Sequence, residues 1–289
     1  MHDRFDPVNS QDMKKILVPC DFSKPAISAF RFAMDVAVKS KGVVHLLNVI
    51  ELPSIQDPII MPVMTFEKDF LKELKQKTNA GFNKIITKYT PKGVTVKTSV
   101  EFGPPARLIN DFARKKSVDL IIMGSHGASG AREYFIGSNA EKVVRRATAP
   151  VLVMKDYHRG VVKNIVFPNA LETEKQEALV RRVKDLQAFF KATVHILYVN
   201  TPTKFTADNI TVERLKLFAK RFMFKNYTLN VYNYPFEEAG ILHFTNSIKG
   251  DLIAMGTHGR KGIAHFLNGS LAEDVVNHAI CPIWTYASK

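Results

Sequence analysis

The sequence predicts two related α/β domains in tandem, each a five-stranded parallel sheet with helices on both faces. Three observations predict it. The chain repeats itself over a long period, strand-length apolar runs alternate with helix-period segments, and 289 residues suffice for two ordinary domains.

The repeat is explicit. Asp119-Leu-Ile-Ile-Met-Gly-Ser-His-Gly127 returns as Asp251-Leu-Ile-Ala-Met-Gly-Thr-His-Gly259, displaced by 132 residues. The offset persists from Gly137-Ser138 to Gly269-Ser270, and from Ala149-Pro150-Val151 to Cys281-Pro282-Ile283. Earlier, Ile16-Leu-Val-Pro19 answers Ile165-Val-Phe-Pro168, and His45-Leu-Leu-Asn-Val49 answers His195-Ile-Leu-Tyr-Val199 at an offset of 150. A period this long marks a duplicated domain rather than a solenoid, whose repeats run about 20–50 residues. The polar stretch Asp156-Tyr-His-Arg-Gly160 separates the copies, so domains are expected over 1–156 and 160–289.

Within the first copy, Ile16–Val18 reads as a strand, and Ser23 as the cap of a helix with Pro25 in its first turn. Ile27, Phe30, Met34 and Ala37 recur at helical spacing. Val43–Val49 is a second strand, and Phe66, Phe70, Leu71 and Leu74 open a second helix. Val94–Val100 alternates as a third strand, followed by a third helix through Leu108, Ile109, Phe112 and Ala113. Leu120–Met123, a helix through Ala140, Val143, Val144 and Ala147, and Val151–Met154 complete the set. Such alternation argues a parallel sheet covered on both sides. The proline-bearing segment from Glu51 to Met64 reads as a long loop that covers a ligand mouth.

Composition narrows the function classes. No apolar run approaches the roughly 20 residues of a membrane span. Residues 1–12 lack the apolar stretch of a secretory signal, and Cys20 and Cys281 form no disulfide framework, so a cytoplasmic location is expected. The net charge of +14 comes from scattered pairs such as Lys14-Lys15 and Arg260-Lys261. Its densest run, Arg114-Lys115-Lys116, falls where a helix should end and complements the helix dipole. Solvated helix faces account for most of it, with an anionic partner as the alternative.

The chemistry lies in the glycine spacing after the fourth strand. Gly124-x-x-Gly127, nine residues and Gly137-Ser138 recur as Gly256-x-x-Gly259, nine residues and Gly269-Ser270. Glycines there let backbone N–H groups approach a phosphate, and a helix opening at the Gly-Ser pair favours an anion. The alternative needs no ligand: Ser138-x-x-Glu141 and Ser270-x-x-Glu273 both read as capping boxes. Both copies keep all the glycines at one spacing, which favours the ligand.

The combination of Ile-Leu-Val-Pro-x-Asp-x-Ser, Asp-Leu-Ile-x-Met-Gly-x-His-Gly, the nine-residue gap, Gly-Ser and a closing Pro-Val-Leu-Val resembles the ATP-binding branch of the universal stress protein family. The resemblance covers almost the whole chain, twice. It implies a Rossmann-like sheet of order 3-2-1-4-5 in each half, with adenosine across the ends of strands one and four. It also implies fifth strands paired domain to domain, internally in a tandem chain or between two chains as a homodimer. The expected ligand is ATP, or AMP or ADP, with Mg²⁺ carried on the phosphates, and the expected role is stress-response regulation. Asp21 resembles the residue that meets adenine or ribose, flanked by Pro19 and Cys20, with Val49 against the base. Met123, Gly124, His126 and Gly127 resemble the first phosphate-side turn, and Gly137, Ser138 and Asn139 the second. Each has a plainer reading: Asp21 as a helix cap, Val49 as an apolar strand residue, His126 as a loop hydrogen-bonder rather than a catalyst. Ala128 stands where many members carry a basic residue.

The second half departs from the pattern. Ala170 occupies the position of Asp21 and offers no acceptor, although Gly256, His258, Gly259, Gly269 and Ser270 complete the loop and Arg260 adds charge. The expectation is unequal sites, the first half binding more tightly. Two other functions compete: a slow ATPase or nucleotidyl-transfer enzyme, and a basic scaffold for nucleic acid or another anion. Neither half carries G-x-x-x-x-G-K-[ST], a carboxylate cluster for Mg²⁺ chemistry, or the G-x-G-x-x-G spacing of a dinucleotide site, so no catalytic residue is assigned.

Overall fold

A computed structural model describes residues 13–51, 68–125, 137–157, 161–171, 176–257, 275 and 279–287. Its first half runs β1 (Lys15–Pro19), α1 (Lys24–Ser40), β2 (Val43–Ile50), α2 (Lys68–Tyr89), β3 (Thr95–Phe102), α3 (Pro105–Lys116), β4 (Leu120–Gly124), α4 (Ser138–Arg146) and β5 (Val151–Met154). The second runs β6 (Asn164–Pro168), α5 (Glu177–Phe190), β7 (Thr193–Asn200), α6 (Asp208–Arg221), β8 (Tyr227–Asn233), α7 (Glu237–Ser247), β9 (Leu252–Gly256) and β10 (Ile283–Tyr286). Of the expected long loop, residues 52–64 lie outside the described residues, as does Phe66.

All ten strands form one sheet of order β3-β2-β1-β4-β5-β10-β9-β6-β7-β8. Each half therefore has the order 3-2-1-4-5, and every neighbouring pair is parallel except β5 with β10, which is antiparallel. The two halves join internally through their last strands, as the resemblance implied.

Alternation along the strands builds two cores. Ile16 and Val18 point into a cluster with Phe30, Met34 and Phe82 from α1 and α2, continued by Val183 and Phe218 from α5 and α6. Leu17 points the other way, toward Ile109, Val143 and Ile241 from α3, α4 and α7. Strands buried on both faces explain their nearly uninterrupted apolar sequence.

Local signals account for the helix ends. Ser23 caps α1, its hydroxyl accepting from the Ala26 amide at 3.3 Å, and Lys41 closes that helix at a left-handed φ of 53°. α3 opens on Pro105 and ends at Lys116, with all three basic residues of its last turn at the negative end of the dipole. The aspartate that opens each repeated motif fastens the neighbouring strand. Asp119 accepts from the backbone amides of Lys14 (3.0 Å) and Lys15 (2.9 Å), and Asp251 from those of Lys163 and Asn164, both at 2.8 Å. The motif's first residue is thus structural in both copies. Among the described residues no helix is long and apolar enough to cross a membrane.

Candidate functional site

At the carboxyl ends of β1, β2 and β4 the described residues enclose a cleft of about 150 Å³. β1 and the turn after it bring Pro19, Cys20 and Asp21; β2 brings Leu47, Asn48 and Val49. α3 supplies a wall of Pro105 and Ile109. The far side is Met123, Gly124 and Ser125 from β4, facing Gly137, Ser138 and Asn139 at the start of α4. Nine residues singled out from the sequence thus meet around one opening: Pro19, Cys20, Asp21, Val49, Met123, Gly124, Gly137, Ser138 and Asn139. His126, Gly127, His258, Gly259, Gly269 and Ser270 lie outside the described residues. Gly256 ends β9 in the second half.

The turn that presents Asp21 is held from several sides. Cys20 donates its amide to the Leu47 carbonyl at 2.8 Å, and its own carbonyl accepts from the Asn48 carboxamide at 2.7 Å. One residue on, Asp21 accepts from the Ser23 amide at 3.0 Å across Phe22, whose φ is +67°. A left-handed non-glycine residue costs free energy and persists only where its surroundings over-determine it. Here the Phe22 ring packs on Phe82, with centroids 5.4 Å apart, and on Gly81, where a Cβ would come within 2.9 Å of it. The helix cap is Ser23, so Asp21 is left as an exposed carboxylate at the mouth of the cleft rather than a cap.

Burial pushes the Cys20 thiol up to about 12, so it lines the cleft as a small protonated group.

Two features of the glycine motif differ from the sequence reading. Gly124 has a packing role of its own. A Cβ there would lie 2.8 Å from the carbonyl carbon and Cβ of Pro25 and 2.9 Å from the Ala26 nitrogen, so the missing side chain lets α1 start against the end of β4. Ser138, in turn, does not cap. Gly137 takes the cap position in extended conformation and Ser138 is the first helical residue. The cause is a tether: the Gly137 amide donates to the Ser125 carbonyl at 2.6 Å, and the Glu141 amide to the Gly137 carbonyl at 3.1 Å, which starts the helix one residue early. Glu141 pairs forward with Arg145 at 2.8 Å instead of turning back as a capping box requires. The second box, Ser270 to Glu273, lies outside the described residues.

Several lining residues carried no usable sequence signal. Asn48 is a polar residue inside an apolar run, and only the β1–β2 register shows that its amide reaches the Cys20 carbonyl. Ser125, buried, ties β4 to both β5 and α4 through its amide to Met154 (2.9 Å) and its carbonyl to Gly137. The arrangement offers apolar walls, one carboxylate acceptor, and first-turn amides of α4 that have no intrahelical acceptor.

The universal stress protein family matches the chain over residues 13–155 and 236–286. A universal stress protein of Methanocaldococcus jannaschii is 32% identical over 143 residues, 49% of this chain and 82% of that protein. Universal stress protein YxiE of Bacillus subtilis is 29% identical over 145 residues, 49% of this chain and 98% of that protein. The crystal structure of a universal stress protein from Archaeoglobus fulgidus superposes with a TM-score of 0.74 at 18% identity, covering 96% of this chain and 97% of that one, which shows the shared tandem fold. The chain belongs to the universal stress protein family.

Proposed function

We propose that this protein is a stress-response regulator that binds an adenine nucleotide, ATP or its di- or monophosphate, in the cleft of its N-terminal half. One observation carries the reading: the first-half residues of the family's nucleotide motif that fall within the described chain line a single cleft at the carboxyl ends of β1 and β4, where open α/β sheets take their ligands. Leu47, Val49, Pro105 and Ile109 suit a flat apolar ring, Asp21 suits an amino or hydroxyl donor, and the start of α4 suits a phosphate. Mg²⁺ travels with the phosphates in this reading. The domains in this reading are 1–156 and 160–289, and binding is the activity proposed.

The test is direct. Small molecules released from purified protein are identified by mass spectrometry, and ATP is titrated into the stripped protein by calorimetry. Adenine nucleotide recovered in up to one equivalent per chain, with a matching binding isotherm, supports the proposal. No nucleotide released and no heat at millimolar ATP removes it.

A further inference from the structure

We propose that Lys15, Lys97, Lys116 and His45 form a second anion site, for a compact multivalent phosphate, on the α3 face of the sheet away from the cleft. The residues come together through the register. His45 on β2 lies beside Lys97 on β3 and beside Leu17 on β1, which places Lys15 on the same face two residues back. Lys116 closes α3 above them, its ammonium 6.0 Å from the Phe112 ring, and Phe112 meets the His45 ring edge-on at 5.8 Å. All three lysines are exposed, while the imidazole is half-buried.

Repulsion is the informative part. Burial first, then the charges of Lys97, Lys116 and Lys15, hold His45 below the ordinary histidine value, and among the described residues no carboxylate adds to these causes. Asp119, three residues after Lys116, turns its carboxylate to the backbone amides of Lys14 and Lys15. Like charges gathered on one face repel, and an arriving anion relieves that repulsion.

The second half removes the structural reasons. His195 is the counterpart of His45, with Asn164, Thr228 and Ile248 at the positions of Lys15, Lys97 and Lys116. Its ring nitrogens meet Thr228 at 2.8 Å and Asn164 at 3.2 Å, a neutral shell. A lysine on an edge strand discourages stray pairing, yet the edge strand β8 carries none. A basic residue in the last turn suits the helix dipole, yet α7 has none there. The fold forms with a neutral shell, and one copy carries the cations. Three ammonium groups and an imidazole that gains a proton when an anion arrives match a phosphate chain better than a single monovalent ion.

His195 provides an internal control. The titrations of both histidines are followed by NMR with and without tripolyphosphate, and with sodium chloride at matched ionic strength. The expected result is a saturable rise in the His45 pKa with tripolyphosphate, beyond the shift in salt, while His195 stays within its salt response. Lys97→Thr, the residue the second half already uses, should raise the His45 pKa without ligand and weaken tripolyphosphate binding about fivefold. Equal responses of the two histidines, a salt control that reproduces the whole shift, or an unchanged response in Lys97→Thr overturns the proposal. None of the three lysines lines the cleft, so loss of the response in Lys97→Thr with ATP binding unchanged separates this site from the nucleotide reading.

Discussion

The turns after β1 and β6 start alike and end differently. Cys20 and Asn169 both donate their amides to the next strand, to Leu47 at 2.8 Å and Leu197 at 2.9 Å. Two residues after Pro19 and Pro168 come Asp21 and Ala170, and then Phe22 and Leu171, both left-handed at φ 67° and 60°. In the first turn, Asp21 steadies the bend by accepting from Ser23 and remains exposed at a cleft. In the second, Asn169 accepts from the Leu171 amide and donates to Gln176, both at 2.7 Å, so the bend is stabilised without a carboxylate. The wall differs too. Val49 lines the cleft, whereas its counterpart Val199 sits on the α7 backbone, where a Cβ on Gly240 would be 2.6 Å from its Cγ1. Strained backbone and strand order belong to the fold; the carboxylate and the apolar wall are separable additions. The family match leaves out residues 156–235, and with them Ala170.

The largest expected effect is chemical and should be alike in both halves. Burial pushes Cys20 and Cys281 each up to about 12. Alkylation of native protein near pH 8 should therefore run about a thousandfold slower than in denaturant, because the thiolate is scarce. Rapid native labelling of Cys20 alone would mean that the cleft floor is wetter and more polar than the geometry states.

Next comes the glycine that ends the fourth strand of each copy. Gly124→Ala drives a methyl against the Pro25 and Ala26 backbone and should cost about 1–3 kcal/mol. Gly256→Ala meets the tip of Leu179 at 2.8 Å, a side chain that can rotate away, and should cost less. Denaturant midpoints with unchanged slopes decide it; the reverse order would break the comparison.

Nucleotide binding sharpens it further. Asp21→Ala should weaken ATP by about 0.5–1.5 kcal/mol, roughly twofold to somewhat over tenfold in Kd. Ala170→Asp should not create an equal second site, because Val199 still packs on the α7 backbone and Asn169 still stands where the first half has Cys20. Two matched sites by calorimetry in that variant would show that the carboxylate alone separates the halves; two matched sites in the parent protein would show that the halves are not separated at all.

The smallest effect is at Asn48, whose counterpart is Tyr198. Asn48→Ala removes the 2.7 Å bond to the Cys20 carbonyl and should cost about 1 kcal/mol in stability, with a parallel loss in ATP affinity as the turn loosens. Stability lost with affinity unchanged would place Asn48 in the fold alone.

These residues also mark how far the sequence could be read. Strands and helices were legible because burial on two faces imposes apolar runs and helical spacing imposes its own period. The observed β2 and α3 contain the expected Val43–Val49 and Leu108–Ala113. Asp21 and the Gly-Ser turn were legible as motif residues. The Asn48 bond and the Pro105 wall were not, because both depend on which strand or helix lies alongside. The capping reading of Ser138 failed for a related reason: a hydrogen bond from Gly137 to Ser125, across an intervening segment, shifts the helix start by one residue. The packing role of Gly124 is invisible until α1 is placed against it.

The register between β5 and β10 opposes Leu152 to Trp284, and the repeat makes these two residues counterparts. A position that faces its own equivalent lies on the axis relating the halves. When two identical chains meet in this way, any substitution on the axis appears on both sides, and a large residue must face itself. A duplicated chain is free of that constraint. It sets a fully buried indole against a leucine, filling the seam with one large and one smaller side chain. The same freedom extends outward from the seam: each change arises once per molecule, so one copy can carry a carboxylate or three lysines that the other lacks.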